Sequence, residues 1–153
     1  MQIKPKFDID KLFAEVSRKV NIFAQGVVEA MEKTCLEITN AAKQLDTYQD
    51  QTNVLRSSIG YVVYEQGEKV AEYFSAAGSG SKGSGAAGIE RGKQVANEAA
   101  RKYPNDIVGV IVAGADYALY VESKGYDVLT GPASLLLTTF QKNLRLVFDS
   151  LKA

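Results

Sequence analysis

The sequence has no histidine, no tryptophan, one cysteine, three prolines and no excess of either charge, since 18 Lys and Arg balance 18 Asp and Glu over 153 residues. Without histidine there is no Ser-His-Asp triad, no Cys-His dyad and no histidine zinc motif. The lone Cys35 rules out an intrachain disulfide, and its apolar helical setting (Val27, Val28, Met31, Ile38) reads as a small, inert, buried hydrophobe. A net charge of zero leaves no general field to hold polyphosphate by counterion release, so no sequence-specific nucleic-acid partner is expected. No run approaches the roughly 20 apolar residues of a membrane span. Met1-Gln2-Ile3-Lys4-Pro5-Lys6 also lacks the apolar core of a signal peptide, so no membrane partner and a cytoplasmic place of synthesis are expected.

What remains is ordinary globular composition, 46% hydrophobic and 24% charged, read as a single domain over 1–153. Ile9, Phe13, Val16, Val20, Phe23, Val27, Met31, Cys35, Ile38, Ala42 and Leu45 recur in steps of three and four, which predicts one long amphipathic helix over 8–45. Asp8 is its expected N-cap, Glu15/Lys19 and Glu29/Lys33 have the favourable spacing, and Gly26 is the weak point. Such a helix is longer than a domain of this size is wide, so part of it should project or meet another chain.

Ile59–Tyr64 and Val70–Phe74 read as a hairpin around Gly67. Residues 76–88 form a Gly/Ser/Ala stretch with no side chain able to anchor it, expected to be a flexible loop. A thin-faced surface helix over 89–103 should end at Pro104, and the continuous apolar run Ile107–Ala113 reads as the central strand. The segment Asp116–Glu122 is left without an assigned secondary structure. A helix opening at Thr130-Gly131-Pro132 carries the last apolar stripe. The fold class is α+β: a long N-terminal and a C-terminal helix packed on a small, mostly antiparallel sheet of three to four strands.

The sharpest chemical pattern is Gly78-Ser79-Gly80-Ser81-Lys82-Gly83, with Gly85 close by, which satisfies GxGxxG between a strand and a helix. The strand before it belongs to a hairpin rather than a βαβ unit, and Lys82 precedes Gly83 where a Walker motif needs the reverse order. A partner-ordered docking loop is therefore preferred, with a small-ligand or nucleotide-binding module on Gly78–Gly85 as the alternative. Asp116 with Glu122, or Asp46 with Asp50, could pair for acid-base chemistry but stand beside no other reactive group. No enzyme, cofactor or metal is expected. Tyr117 and Tyr120 suit either a half-buried sheet or an interface.

Two segments taken together are more specific: Thr52-Asn53-Val54-Leu55-Arg56-Ser57-Ser58-Ile59, and Ala115-Asp116-Tyr117-Ala118-Leu119-Tyr120-Val121-Glu122. This arrangement resembles the tail-completion (head-to-tail joining, minor tail) proteins of long-tailed double-stranded DNA phages and prophages. In that family a T-G-x-L-R-x-S-I turn enters the first strand, and Y-A-x-Y-V-E precedes a helix begun by proline, here Pro132. Asn53 stands where the family usually has glycine. The resemblance implies a virion structural protein, assembled in the host bacterial cytoplasm, that closes into a homo-oligomeric ring against neighbouring neck, connector or tail-tube proteins. It implies interface roles for Leu55, Arg56, Tyr117, Tyr120 and Glu122, although for Leu55 and Arg56 a role in the fold is the stronger reading, with Arg56 capping the first helix or pairing with a surface carboxylate and Leu55 in the core.

Overall fold

The computed structural model describes residues 8–152. Helix α1 (Ile9–Lys43) opens as the sequence predicts, with the Asp8 carboxylate accepting the N–H groups of Asp10 and Lys11 at 3.0 and 3.2 Å. Its 35 residues make a rod of about 52 Å. The helix is continuous at Gly26, which is buried where the Phe148 ring approaches; the missing side chain there gives room for close helix packing.

A short turn of helix, α2 (Val54–Ser57), leads into β1 (Ile59–Glu65) and β2 (Glu68–Phe74). Gln66 and Gly67 link the two strands, both with positive φ, as a two-residue turn matching the right-handed strand twist requires. Helix α3 (Ala86–Ala100) crosses over to β3 (Ile107–Ala113), and α4 (Ala118–Ser123), α5 (Thr130–Ala133) and α6 (Leu136–Leu151) complete the chain. The fold is α+β, with a three-stranded antiparallel sheet in the order β2-β1-β3.

The central strand is β1, which is buried along nearly its whole length, and β3 lies at an edge, correcting the expectation for Ile107–Ala113. An uninterrupted Ile/Val run reports cover on both faces, not neighbours on both edges. On one face Gly109 and Ile111 meet Met31 and Cys35 of α1; on the other Val108, Val110 and Val112 pack towards Ala96 and Ala100 of α3. The thin apolar face of α3 is a close-packing face: Gly88, Gly92, Ala96 and Ala100 are its buried residues.

Because Gly114 donates to Ser58 and Gln66 donates to Asp106, the hydrogen-bonded pairs of β1 and β3 fall on even positions. The N–H and C=O groups of Ile107, Gly109 and Ile111 therefore point to the open edge. Helix α6 packs antiparallel along α1: Lys142 reaches Glu37 at 2.7 Å, Asn143 donates to Thr34 at 3.1 Å, and Phe148 stacks on Phe23. The C-terminal helix expected from Thr130 onward is two pieces, α5 and α6, broken at Ser134 and Leu135.

Candidate assembly surfaces

The turn between α1 and β1 is built from side chains that satisfy backbone. Arg56 donates through Nη1 to the carbonyl oxygens of Lys43 and Leu45, the second at 2.7 Å, so it caps the open C-terminal end of α1. Its guanidinium also lies 4.9 Å from the centre of the Tyr48 ring. Leu55 is fully buried with Ala42, Ile59, Ala115 and Val128. Leu55 thus takes the core role and Arg56 the helix-capping role that the sequence favours for them. Each sits at the junction of α1, α2 and the sheet, where removing it would expose a helix end or open the core.

Asn53 has φ +62, a left-handed conformation that asparagine tolerates better than other residues with a side chain. From there its amide accepts from Gly80 N–H at 2.8 Å and donates to the carbonyls of Gly80 and Gly83 at 2.8 and 2.7 Å. Ser57 exchanges bonds with the Ala77 backbone, and the Lys82 N–H donates to Gln51. The expectation of a stretch without anchors is thus corrected: the anchors lie outside it, in residues 51–57. Its last three residues, Ala86–Gly88, are the first turn of α3. Gly78, Gly80, Gly83 and Gly85 approach the 50–57 backbone or side chains so closely that an added Cβ would collide at each. The Gly80 and Lys82 N–H groups, which a phosphate cradle would need, are already taken.

Glu122 accepts the N–H groups of Leu129 and Thr130 at 2.9 and 3.0 Å, a longer bond from Val128, and the Thr130 hydroxyl at 2.9 Å. Burial pushes its carboxyl up, but these donors outweigh it and hold the group below the ordinary glutamate range. The carboxylate implied as an interface charge at Glu122 organises the entry to α5. Asp116, the other half of the considered carboxylate pair, forms an exposed ion pair with Arg91 at 2.8 Å.

The segment left unassigned is largely the short helix α4, and it turns apolar groups outward. Leu119 is 78% and Tyr120 63% exposed, with Tyr117 and Tyr126 also exposed. Tyr48, Tyr120, Lys124 and Tyr126 line an open cleft of about 670 Å³, with Lys124 above the Tyr120 ring. A second, more polar cleft of about 680 Å³ lies between Gln44–Gln51 and Gly78–Gly80. Among the described residues no group of three or more metal-ligating side chains comes together. Lys43, whose burial lowers its amine to about 8, is bound to the Ser75 carbonyl and hydroxyl.

Among the described residues, a continuous exposed surface runs along the first half of α1. Every residue from Asp8 to Phe23 is exposed, including Ile9, Leu12, Phe13, Val16, Val20 and Phe23, which form one stripe. Monomers rarely leave so continuous an apolar row in water. The rest of α1 buries the same kind of row under α6 and the sheet. No described helix is long and apolar enough to cross a membrane. Compared with family models, curated proteins and solved structures, the chain matches none.

Proposed function

We propose that this protein is a structural subunit of a long-tailed phage or prophage virion that completes the tail at the head–tail interface, acting by ring assembly and not by catalysis. The observation that carries the reading is the bare apolar stripe on the first half of α1, a surface that becomes stable in water only when another body covers it. The resemblance of residues 52–59 and 115–122 to the tail-completion family supplies the particular assembly. The exposed Tyr117, Leu119 and Tyr120 add a second apolar patch of the amphipathic type favoured at protein contacts. A ring built head to tail joins two different faces of each subunit, so zero net charge is no obstacle.

Light scattering and negative-stain imaging across a wide concentration range test the assembly, with closed rings expected. Incubation with tails assembled without this protein tests the station: new density at the head-proximal end, and recovery of joining to filled heads, are expected. A strict monomer that adds nothing to such tails overturns the reading. The alternative nucleotide module on Gly78–Gly85 has less support, because Asn53 and Gln51 occupy the N–H groups it would use.

A further inference from the structure

We infer that the bare stripe of α1 is covered by the flank of α6 from a second copy of this chain. This deepens the assembly reading above and rests on it. At 100° per residue, Ile9, Leu12, Phe13, Val16, Val20 and Phe23 fall in one sector about 100° wide. Ala30, Thr34 and Ile38, which are buried, fall in the same sector further along the helix. The packing face of α1 is therefore continuous, whereas its partner α6 ends at Leu151 beside the Phe23 region.

The α6 flank supplies a matching row. To one side of Asn143 and Val147, the residues α6 buries, stand Leu137, Phe140, Leu144, Phe148 and Leu151, spaced three, four, four and three apart. Leu137 and Leu151 are more than half exposed, and Phe140 and Leu144 are half-buried. This row and the bare stripe of α1 each span about 21 Å at helical rise. Within one copy they meet end to end where Phe23 stacks on Phe148 at 5.1 Å between ring centres. Laying the stripe of one copy on the α6 row of another adds a second α1 beside the Asn143–Val147 face that α6 already gives to its own α1.

Roughly half of each of the six stripe side chains is exposed, about 600 Å² in all, whereas the α6 row, with only Leu137 and Leu151 more than half exposed, offers about half as much. The sum, about 900 Å², is less than a lone stable dimer needs, and a closed ring supplies the remainder by repeating the contact around its circumference. The polar side of the free half mixes Asp10 and Glu15 with Lys11, Arg18 and Lys19, unlike the cationic face of a helix that lies on a lipid surface.

Single-cysteine pairing tests the contact, since Cys35 is buried and its thiol is pushed up to about 12, leaving it unreactive. V16C and L144C chains are purified separately, then oxidised alone and mixed, and read on non-reducing gels. The mixture is expected to give at least about five-fold more covalent dimer than either chain alone. F13E is expected to disperse the oligomer while leaving the melting temperature of dilute, monomeric protein unchanged, because Phe13 is 66% exposed and belongs to no core cluster among the described residues. Cross-links from V16C alone that match the mixture would mean α1 meets α1 and would overturn the inference. Oligomers that form without a mixed cross-link, or that survive F13E, overturn it while leaving the assembly reading intact. Protein that stays monomeric at every concentration, or monomer that floats with phosphatidylcholine/phosphatidylglycerol vesicles, overturns the inference, and it overturns the assembly reading as well when it also adds nothing to tails assembled without it.

Discussion

Replacing Gly88 with alanine should separate two effects that usually travel together. In a helix interior the exchange normally stabilises by about 1 kcal/mol, because alanine has less backbone freedom to lose. Here the new methyl would overlap the Val54 carbonyl oxygen and lie 2.9 Å from its carbon and 3.1 Å from the Ser58 nitrogen. These are backbone atoms of a turn closed by Ser57 donating to Asn53 and Ser58 donating to Val54, so no side chain can swing aside. Forcing an extra carbon into a filled interior costs about 1–3 kcal/mol, and movement of a whole helix belongs at the upper end. Gly88→Ala should therefore lose about 2 kcal/mol net, or about 4–8 °C in melting temperature for a domain of this size. Gly26→Ala is the matched comparison: its methyl would meet the Phe148 ring at 3.3 Å and Val147 Cγ1 at 3.4 Å. Those groups can shift by tenths of an ångström, so the variant should fall within about 0.5 kcal/mol of the parent or gain slightly. Urea unfolding followed by far-ultraviolet dichroism reads both. Equal midpoints for Gly88→Ala and the parent, or an equal loss in the two variants, would refute the reasoning.

Arg56→Met should cost about 2–3 kcal/mol by leaving the Lys43 and Leu45 carbonyls without their charged donor, and Arg56→Lys should recover part of this because both bonds leave one nitrogen that an ammonium can replace, while the planar stacking on Tyr48 is lost; urea unfolding of both variants checks this. Glu122→Gln should destabilise at neutral pH by about 1 kcal/mol. The folded carboxyl is depressed, so its contribution is present above the ordinary glutamate value and lost as pH falls through the depressed one; melting curves of parent and variant should converge in acid. Lys43 has a folded value of about 8 against 10.5, so the unfolded chain binds more protons between them and stability should gain from this group as pH rises from 8 towards 10.5; Lys43→Met should remove that gain from a pH series of melting temperatures. The Cys35 thiol should resist a disulfide reagent in the native protein at pH 8 and react at once in urea, read as released chromophore.

Long periodic segments were legible because their signal is redundant. The extent of α1, its Asp8 cap and the Gln66-Gly67 hairpin follow from spacing and turn chemistry within a few residues of one another. Strand order was less legible: Gly60 and the tyrosines of β1 make it look less apolar than β3, yet Gly60 is required where Phe74 crowds it. Helix α4 escaped because six residues hold too little periodicity. The glycine stretch seemed unanchored because its ties come from Asn53, 27 residues before Gly80, and no local pattern announces a bond at that distance. The row Gly88, Gly92, Ala96 and Ala100 was a readable signal of close packing that a search for large apolar residues passes over. Arg56 and Glu122 illustrate a different limit, since spacing marks a residue as special without saying whether it serves the fold or a partner.

Tertiary packing supports α1 only from about Phe23 onward. Starting a helix is its unfavourable step, and the packed half has already met that requirement, so the exposed half grows by propagation alone. Each added turn is then close to balance between helix and coil, with fraying from Asp8 inwards and rapid amide exchange. A neighbour that covers the stripe converts this open-ended equilibrium into a fixed rod. Helical signal at 222 nm should consequently increase with protein concentration, although every folded core in the sample is the same.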